Sequence, residues 1–85
     1  MPQHTRDWEV RLHLFEDGTT TKAHAVLDIG NTAVTGQGTA RRNPHDRDIP
    51  EIGDELAAGR AMNDLAHKLL SIAQTDIEGV SRPGP

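Results

Sequence analysis

Residues Ala40–Leu56, ARRNPHDRDIPEIGDEL, form the junction that decides the fold of this chain. A glycine-bearing strand pattern precedes it, and the only long helical pattern follows it. Asp48 can accept hydrogen bonds from the free amides of a helix start, and Glu51 three residues later completes an arrangement like a capping box. Pro50 is tolerated in the first turn, where its missing N–H costs nothing. We therefore predict a strand before this stretch and a helix that begins just after Asp48.

Two segments with alternating polarity precede the junction and predict two paired strands. The apolar residues of one face are Trp8, Val10, Leu12 and Leu14 in the first segment and Ala23, Ala25, Leu27 and Ile29 in the second. Asp17-Gly18 between them is typical of a hairpin turn, because such turns need positive φ. A loop at Asp17-Gly18 places Leu12 opposite Ala23. On the other face it places His24 opposite Arg11 and His13 opposite Lys22.

A turn at Gly30-Asn31 leads to a third strand whose inward residues are Val34, Gly36, Gly38 and Ala40. Glycine weakens a strand unless another backbone approaches it closely. We therefore expect the helix to cross the sheet at the two inward glycines. The weak strand also needs cover along its edge.

The helical pattern continues to about Gln74 or Ile77 and carries a broad apolar arc. Its members are Ile52, Leu56, Gly59, Met62, Ala66, Leu69, Leu70, Ala73 and Ile77, with Ala58, Leu65 and Ile72 on one flank. This arc is wider, and the helix longer, than three short strands can cover. The sequence predicts an α+β fold, a three-stranded antiparallel sheet followed by one long helix (βββα), and a second subunit that covers the excess.

Length and composition restrict the other properties of the chain. Its 85 residues make one domain, residues 1–85, with an ordered core from about 8 to 78 and a disordered tail at 79–85. It has no cysteine and no segment with the length and apolarity of a membrane span or signal peptide, so we expect a cytoplasmic protein. A net charge of −4 means that any contact with nucleic acid needs a local basic patch, and no DNA specificity is expected.

Three arginines of the junction are the first candidates for a binding site. Arg41, Arg42 and Arg47 could hold phosphate near a helix N-terminus, or could pair with the neighbouring carboxylates and lock the loop. The neighbouring carboxylates are Asp46, Asp48, Glu51 and Asp54. The chain has no arrangement typical of a catalytic site, and we expect neither enzyme activity nor a cofactor. His13 and His24 lack a third ligand, so no metal site is expected.

The stretch from Gly36 to Glu78 resembles a family of small actinobacterial proteins of unknown function. The matching run is G-x-G-x-A-R-x-N-P-x-D-R-x-x-P-E-I-G-D-E-L-A, followed by R-A-x-x-D-L-A and a final D-I-E. Some members are associated with hypoxia and dormancy, and their fold is likened to ribosome hibernation promoting factors. The resemblance implies an intertwined βββα homodimer that binds the ribosome or RNA. It adds Arg11, Lys22 and His24 on the exposed sheet face to the three loop arginines as candidates. A protein-interaction module without affinity for nucleic acid is the alternative.

Overall fold

The structure, a computed structural model, describes residues 4–43, 45, 47 and 49–81. It contains three strands and one helix in the predicted βββα order. The elements are β1 (Val10–Asp17), β2 (Thr20–Asp28), β3 (Ala33–Arg41) and α1 (Pro50–Ser81). The strands form one antiparallel sheet in the order β1-β2-β3. The predicted α+β architecture is confirmed, and Pro50 lies at the helix start. Asp48, the predicted cap, lies outside the described residues.

The hairpin between β1 and β2 turns at Gly18-Thr19, one residue later than predicted. Gly18 has a φ of 61°, and no residue other than glycine has positive φ in the described part of the chain. That pattern fits a turn with glycine at its first central position, whereas an Asp17-Gly18 turn would need positive φ at the aspartate too. Leu12 therefore lies opposite Ala25 and not Ala23. The predicted register was wrong by two residues, but a two-residue shift leaves each side chain on its predicted face.

The helix crosses β3 at the two inward glycines, as predicted. A Cβ added to Gly36 would lie 2.6 Å from the Leu65 amide nitrogen and 2.9 Å from the Leu65 Cβ. A Cβ added to Gly38 would collide with the backbone of Ala57 and Ala61. Helix and strand backbones thus pack in direct contact, because neither glycine has a side chain to separate them.

The helix face that packs on the sheet is not the predicted one. The buried core consists of Ala23, Ala25, Leu27, Val34, Ala40, Ala57, Ala61 and Leu65. Most of the predicted arc is exposed, including Leu56, Met62 and Leu70, which is 68% exposed, whereas Leu65 of its flank is buried and Leu69 is partly buried. At the strand glycines the helix presents the small residues Ala57 and Ala61, and among its larger apolar residues only Leu65 is fully buried in the described part of the helix. Most of the other larger apolar side chains of the helix are left on an uncovered stripe.

Side chains of the helix bond to the free edge of β3. Three hydrogen bonds make this contact: Gln37 N–H to the Asp64 carboxylate (2.9 Å), the Arg60 guanidinium to the Thr39 carbonyl (2.7 Å) and the Lys68 ammonium to the Thr35 carbonyl (2.8 Å). Asp64 and Lys68 also form an ion pair with an N–O distance of 3.3 Å. An unpaired strand edge invites another strand to pair with it, and these charged side chains block that position.

The Asp64 contacts predict a change of stability in acid. The hydrogen bond from the Gln37 amide, and then the Lys68 ammonium, lower the pKa of Asp64 below its ordinary value. A carboxyl with a lowered folded-state pKa stabilises the fold above its unfolded-state pKa of about 3.9 and loses that contribution as pH falls through the folded value. We expect the thermal midpoint of Asp64→Asn to vary less below about pH 4 than that of the parent. Asp76→Asn, an exposed carboxylate on the same helix, is the control and should keep the parental acid profile.

The helix leaves part of the sheet uncovered and extends beyond it. It packs on β3 and β2 and scarcely touches β1, whose eight residues are all exposed. Its 32 residues span about 48 Å at 1.5 Å each, whereas a nine-residue strand spans about 30 Å. The helix also ends later than predicted, at Ser81, so residues 79–81 are helical and not part of a disordered tail. Residues 82–85 lie outside the described part.

The chain is more extended than a compact domain of its length. Its radius of gyration is 17.6 Å, whereas about 12 Å is typical of a compact 85-residue globule. Its accessible surface is 7095 Å², against about 5,000 Å² for a compact monomer of 9.3 kDa. A single copy therefore exposes about 2,000 Å² more than expected.

Candidate functional site

The side of the sheet opposite the helix, which we call the outer sheet face, carries the polar residues of all three strands. Strand alternation assigns them, because their neighbours along each strand form the inward face against the helix. The outer sheet face comprises Arg11, His13, Phe15 and Asp17 of β1, Thr20, Lys22, His24, Val26 and Asp28 of β2, and Ala33, Thr35, Gln37, Thr39 and Arg41 of β3.

The observed register arranges these side chains in three central rows. His13 lies directly opposite His24, which lies opposite Gln37. The predicted pairs of His24 with Arg11 and of His13 with Lys22 were wrong, for the reason given for the hairpin. Phe15 lies opposite Lys22 in the next row, and Arg11 opposite Val26 in the third. Two cationic side chains, two imidazoles and one aromatic ring thus share adjacent rows.

The three central rows contain no carboxylate. The acidic residues of the strands at this face, Asp17 and Asp28, lie at its two ends. Arg41 lies at the corner of the face, opposite Thr20. The central rows therefore carry two formal positive charges in a chain whose net charge is −4, so basic and acidic groups are partly segregated. Phe15 is 59% exposed and presents a large apolar surface beside Lys22.

The other arginine candidates lie on the opposite side of the sheet. Arg42 and Arg47 line a groove of about 370 Å³ between the hairpin, the end of β3 and the helix start. We call it the helix-start groove, and its lining residues are Glu16, Gly18, Thr19, Thr21, Ala40, Arg41, Arg42, Arg47, Ile49, Pro50, Ile52, Gly53 and Leu56. The six predicted residues therefore form two groups, and Arg41 borders both.

The alternative interpretation is that the junction arginines pair with neighbouring carboxylates of the same loop. Among the residues that the structure describes, Arg41 and Arg47 form no ion pair with Glu51 or Asp54. The predicted partners Asp46 and Asp48 lie outside the described residues. The loop is tied to the sheet through its backbone, because the Arg42 N–H donates to the Thr19 carbonyl at 2.8 Å.

The described residues offer no obvious metal centre and no membrane-spanning helix. No group of three or more histidine, cysteine, aspartate or glutamate side chains within them is arranged to hold a metal ion. Over the same residues, no helix combines the length and apolarity needed to cross a bilayer.

Sequence patterns did not predict the helix-start groove. Its polar floor residue, Thr21, belongs to the inward face of β2, and its apolar wall includes Ile49 and Ile52 from the junction. These residues lie about thirty positions apart and share no motif. The one available signal was Gly53, a glycine in the first turns of the helix, where a helix-favouring residue would be ordinary.

Comparisons with known proteins identify relatives over almost the whole chain. The uncharacterised protein Mb1767 of Mycobacterium bovis is 42% identical over 74 residues, which are 87% of this chain and 79% of that protein. The uncharacterised protein Rv2632c of Mycobacterium tuberculosis is 41% identical over 63 residues, which are 74% and 68% of the two chains. The crystal structure of Rv2632c matches with a TM-score of 0.92 and 31% identity, covering 99% of this chain and 100% of that one. The family model described as Rv2632c-like matches residues 6–83, and the chain therefore belongs to the Rv2632c-like family.

Proposed function

We propose that this chain is a non-enzymatic, cytoplasmic, dimeric protein that binds RNA on its outer sheet face. The observation that carries the proposal is the carboxylate-free centre of that face, where the exposed ring of Phe15 lies opposite Lys22 and Arg11 lies two rows away, beyond the His13–His24 row. A protein with net negative charge needs such a local patch to attract a phosphate backbone.

The chemistry of the outer sheet face suits single-stranded or looped RNA. Arginine and lysine neutralise phosphates, and an exposed aromatic ring can stack on an unpaired base. The hydroxyls of Thr35 and Thr39 and the amide of Gln37 can bond to sugar or base edges. These groups favour binding by charge and stacking, without a strong preference for one base sequence.

The ribosome is the RNA-bearing partner that the resemblance to hibernation promoting factors favours. Under this proposal the protein binds the small ribosomal subunit under stress, when translation is arrested. The family comparisons concern only uncharacterised proteins, so fold analogy supports this partner and direct binding must test it.

If the outer sheet face binds RNA, the affinity should fall steeply as salt rises and should depend on Arg11 and Lys22. We expect the double variant Arg11→Ala/Lys22→Ala to bind single-stranded RNA and ribosomes more weakly, and each lost phosphate contact to reduce the slope of log K against log salt by about 0.7. Fluorescence anisotropy and co-sedimentation over a salt series measure both quantities.

Arg47→Ala is the matched control, because it removes one cation from the opposite side of the molecule. It should leave RNA affinity unchanged. Loss of RNA binding in Arg47→Ala with retention in the double variant would move the site to the loop and contradict the proposal.

The dimer part of the proposal rests on the uncovered apolar surface. Val10, Leu12 and Leu14 lie on the inward side of β1, where the chain's own helix does not reach, and each is about 40% exposed. The exposed helix stripe adds Met62 and Leu70. A stable interface needs about 800 Å² from each partner, and the excess surface of one copy is larger than that. A second copy, whose helix lies over β1, would cover both regions.

A protein-interaction module without nucleic-acid affinity is the second candidate. The observation that favours it is the position of the acidic residues, since Glu51, Asp54, Glu55, Asp76 and Glu78 all lie on the helix. Binding to a basic protein would then weaken with salt while RNA binding is absent at every salt concentration.

A further inference from the structure

The helix-start groove contains a nearly buried hydroxyl, that of Thr21, which has no partner among the residues that the structure describes. Thr21 is only 6% exposed and lines the groove. Among the described residues its side chain forms no hydrogen bond. Every fully enclosed side-chain oxygen in the same residues does have a hydrogen-bond partner, so the Thr21 hydroxyl is not fully enclosed. The Thr21 hydroxyl therefore opens onto the groove. Because buried polar groups in proteins are nearly always paired, such a hydroxyl is available to a molecule that enters.

Gly53 keeps the space above this hydroxyl open. A Cβ built on Gly53 would lie 3.0 Å from the Thr21 Oγ1 and 3.7 Å from its Cβ. The first turns of the helix thus pass close over Thr21, and Gly53 places no side chain against its hydroxyl. Gly53 also lies near the helix N-terminus, where free amides and the helix dipole favour negative charge.

The walls of the groove differ in chemistry. Arg41, Arg42 and Arg47 supply positive charge near the end of β3, and Ile49, Ile52 and Leu56 supply an apolar wall on the helix side. Among the described residues, Glu16 is the one acidic side chain that lines the groove, and it lies on β1, opposite Thr21. It would repel a second negative group.

We propose that the helix-start groove binds a small organic anion with one phosphate or carboxylate head and a short apolar body. The head lies among the arginines and accepts a hydrogen bond from the Thr21 hydroxyl. The apolar body lies against Ile52 and Leu56. Glu16 selects against molecules with an anionic group at both ends. The volume of about 370 Å³ falls in the range of small-molecule pockets.

Thr21→Val is the decisive variant, because valine has the shape of threonine but no hydroxyl. The full chain is titrated with butyl phosphate, hexanoate, inorganic phosphate and 1-hexanol, and the backbone amide signals are followed by NMR. We expect saturable shifts at Thr21 and Gly53 with butyl phosphate or hexanoate, and weaker binding of inorganic phosphate and of 1-hexanol. Tighter binding of butyl phosphate assigns the natural ligand to organic phosphates, and tighter binding of hexanoate assigns it to carboxylates.

In Thr21→Val we expect a thermal midpoint equal to or above that of the parent and an affinity about tenfold lower, as expected for one lost hydrogen bond to a charged group. Gly53→Ala, which fills the space above the hydroxyl, should also weaken binding. The absence of saturable shifts with all four probes would overturn the proposal. Equal affinities in the parent and Thr21→Val, or equal affinities for hexanoate and 1-hexanol, would overturn it as well.

Discussion

Replacing Gly38 by alanine should destabilise the fold by about 3 kcal/mol or more, the upper part of the range for overpacked cores. The added methyl would meet the backbone of Ala57 and Ala61, and Arg60 Cβ at 2.8 Å. Backbone atoms of a helix cannot rotate away as a side chain can. The whole central part of the helix must therefore lift from β3, and the small core beneath it would lose contact. A domain of this size has a total stability of only about 4–13 kcal/mol.

Gly59→Ala is the control for this prediction. Gly59 lies in the helix interior, and an added Cβ meets nothing within 4 Å. Alanine there should stabilise the protein by about 1 kcal/mol, because it removes the conformational freedom of glycine from the unfolded chain. Urea unfolding followed by circular dichroism measures both variants. Similar midpoints for Gly38→Ala and Gly59→Ala would mean that helix and strand are not in direct backbone contact.

Replacing Leu12 by glutamate should convert the proposed dimer to a folded monomer. Leu12 is 39% exposed in the single chain, so a carboxylate there can stay hydrated while the chain remains folded. Under a partner's helix the same carboxylate would be buried without a counter-charge, which costs several kcal/mol per copy. Leu70→Glu tests the helix stripe in the same way. Light scattering coupled to size exclusion at micromolar concentration gives the mass.

Phe15→Glu is the matched control, since it places the same charge on the same strand but on the outer sheet face. It should remain a dimer and lose affinity for RNA. A parent protein that is monomeric at micromolar concentration would contradict the dimer. So would a Leu12→Glu variant that keeps the mass of Phe15→Glu.

The sequence predicted the elements and the inward faces of the strands because those depend on local patterns. Alternation placed Ala25 and Leu27 inward, and Gly36 and Gly38 predicted the helix crossing. The helix face was mispredicted because a hydrophobic pattern ranks residues by apolarity and not by size. The close approach at the strand glycines favours a small helix residue such as Ala57 over larger apolar residues. The hairpin register was mispredicted because Gly18 can supply positive φ at either central position of a two-residue turn.

The candidate site was only partly predictable for a related reason. Arg11, Lys22 and His24 could be assigned to one face from alternation alone. The position of Arg42 on the other side of the sheet depends on how the junction turns towards the helix. Thr21 was not among the predicted residues, because its role follows from the space beside Gly53, and such space depends on the tertiary structure.

The bonds from Arg60, Asp64 and Lys68 to β3 also limit how many copies can assemble. A sheet with two open edges can add a copy at each, and so can grow into a fibre. This sheet has one open edge, at β1, because its other edge is already occupied by the chain's own side chains. The sheet can therefore pair with one other strand edge. If two copies pair through β1, the pairing uses the single available edge and would stop at two copies, so the edge bonds favour a closed assembly over a polymer.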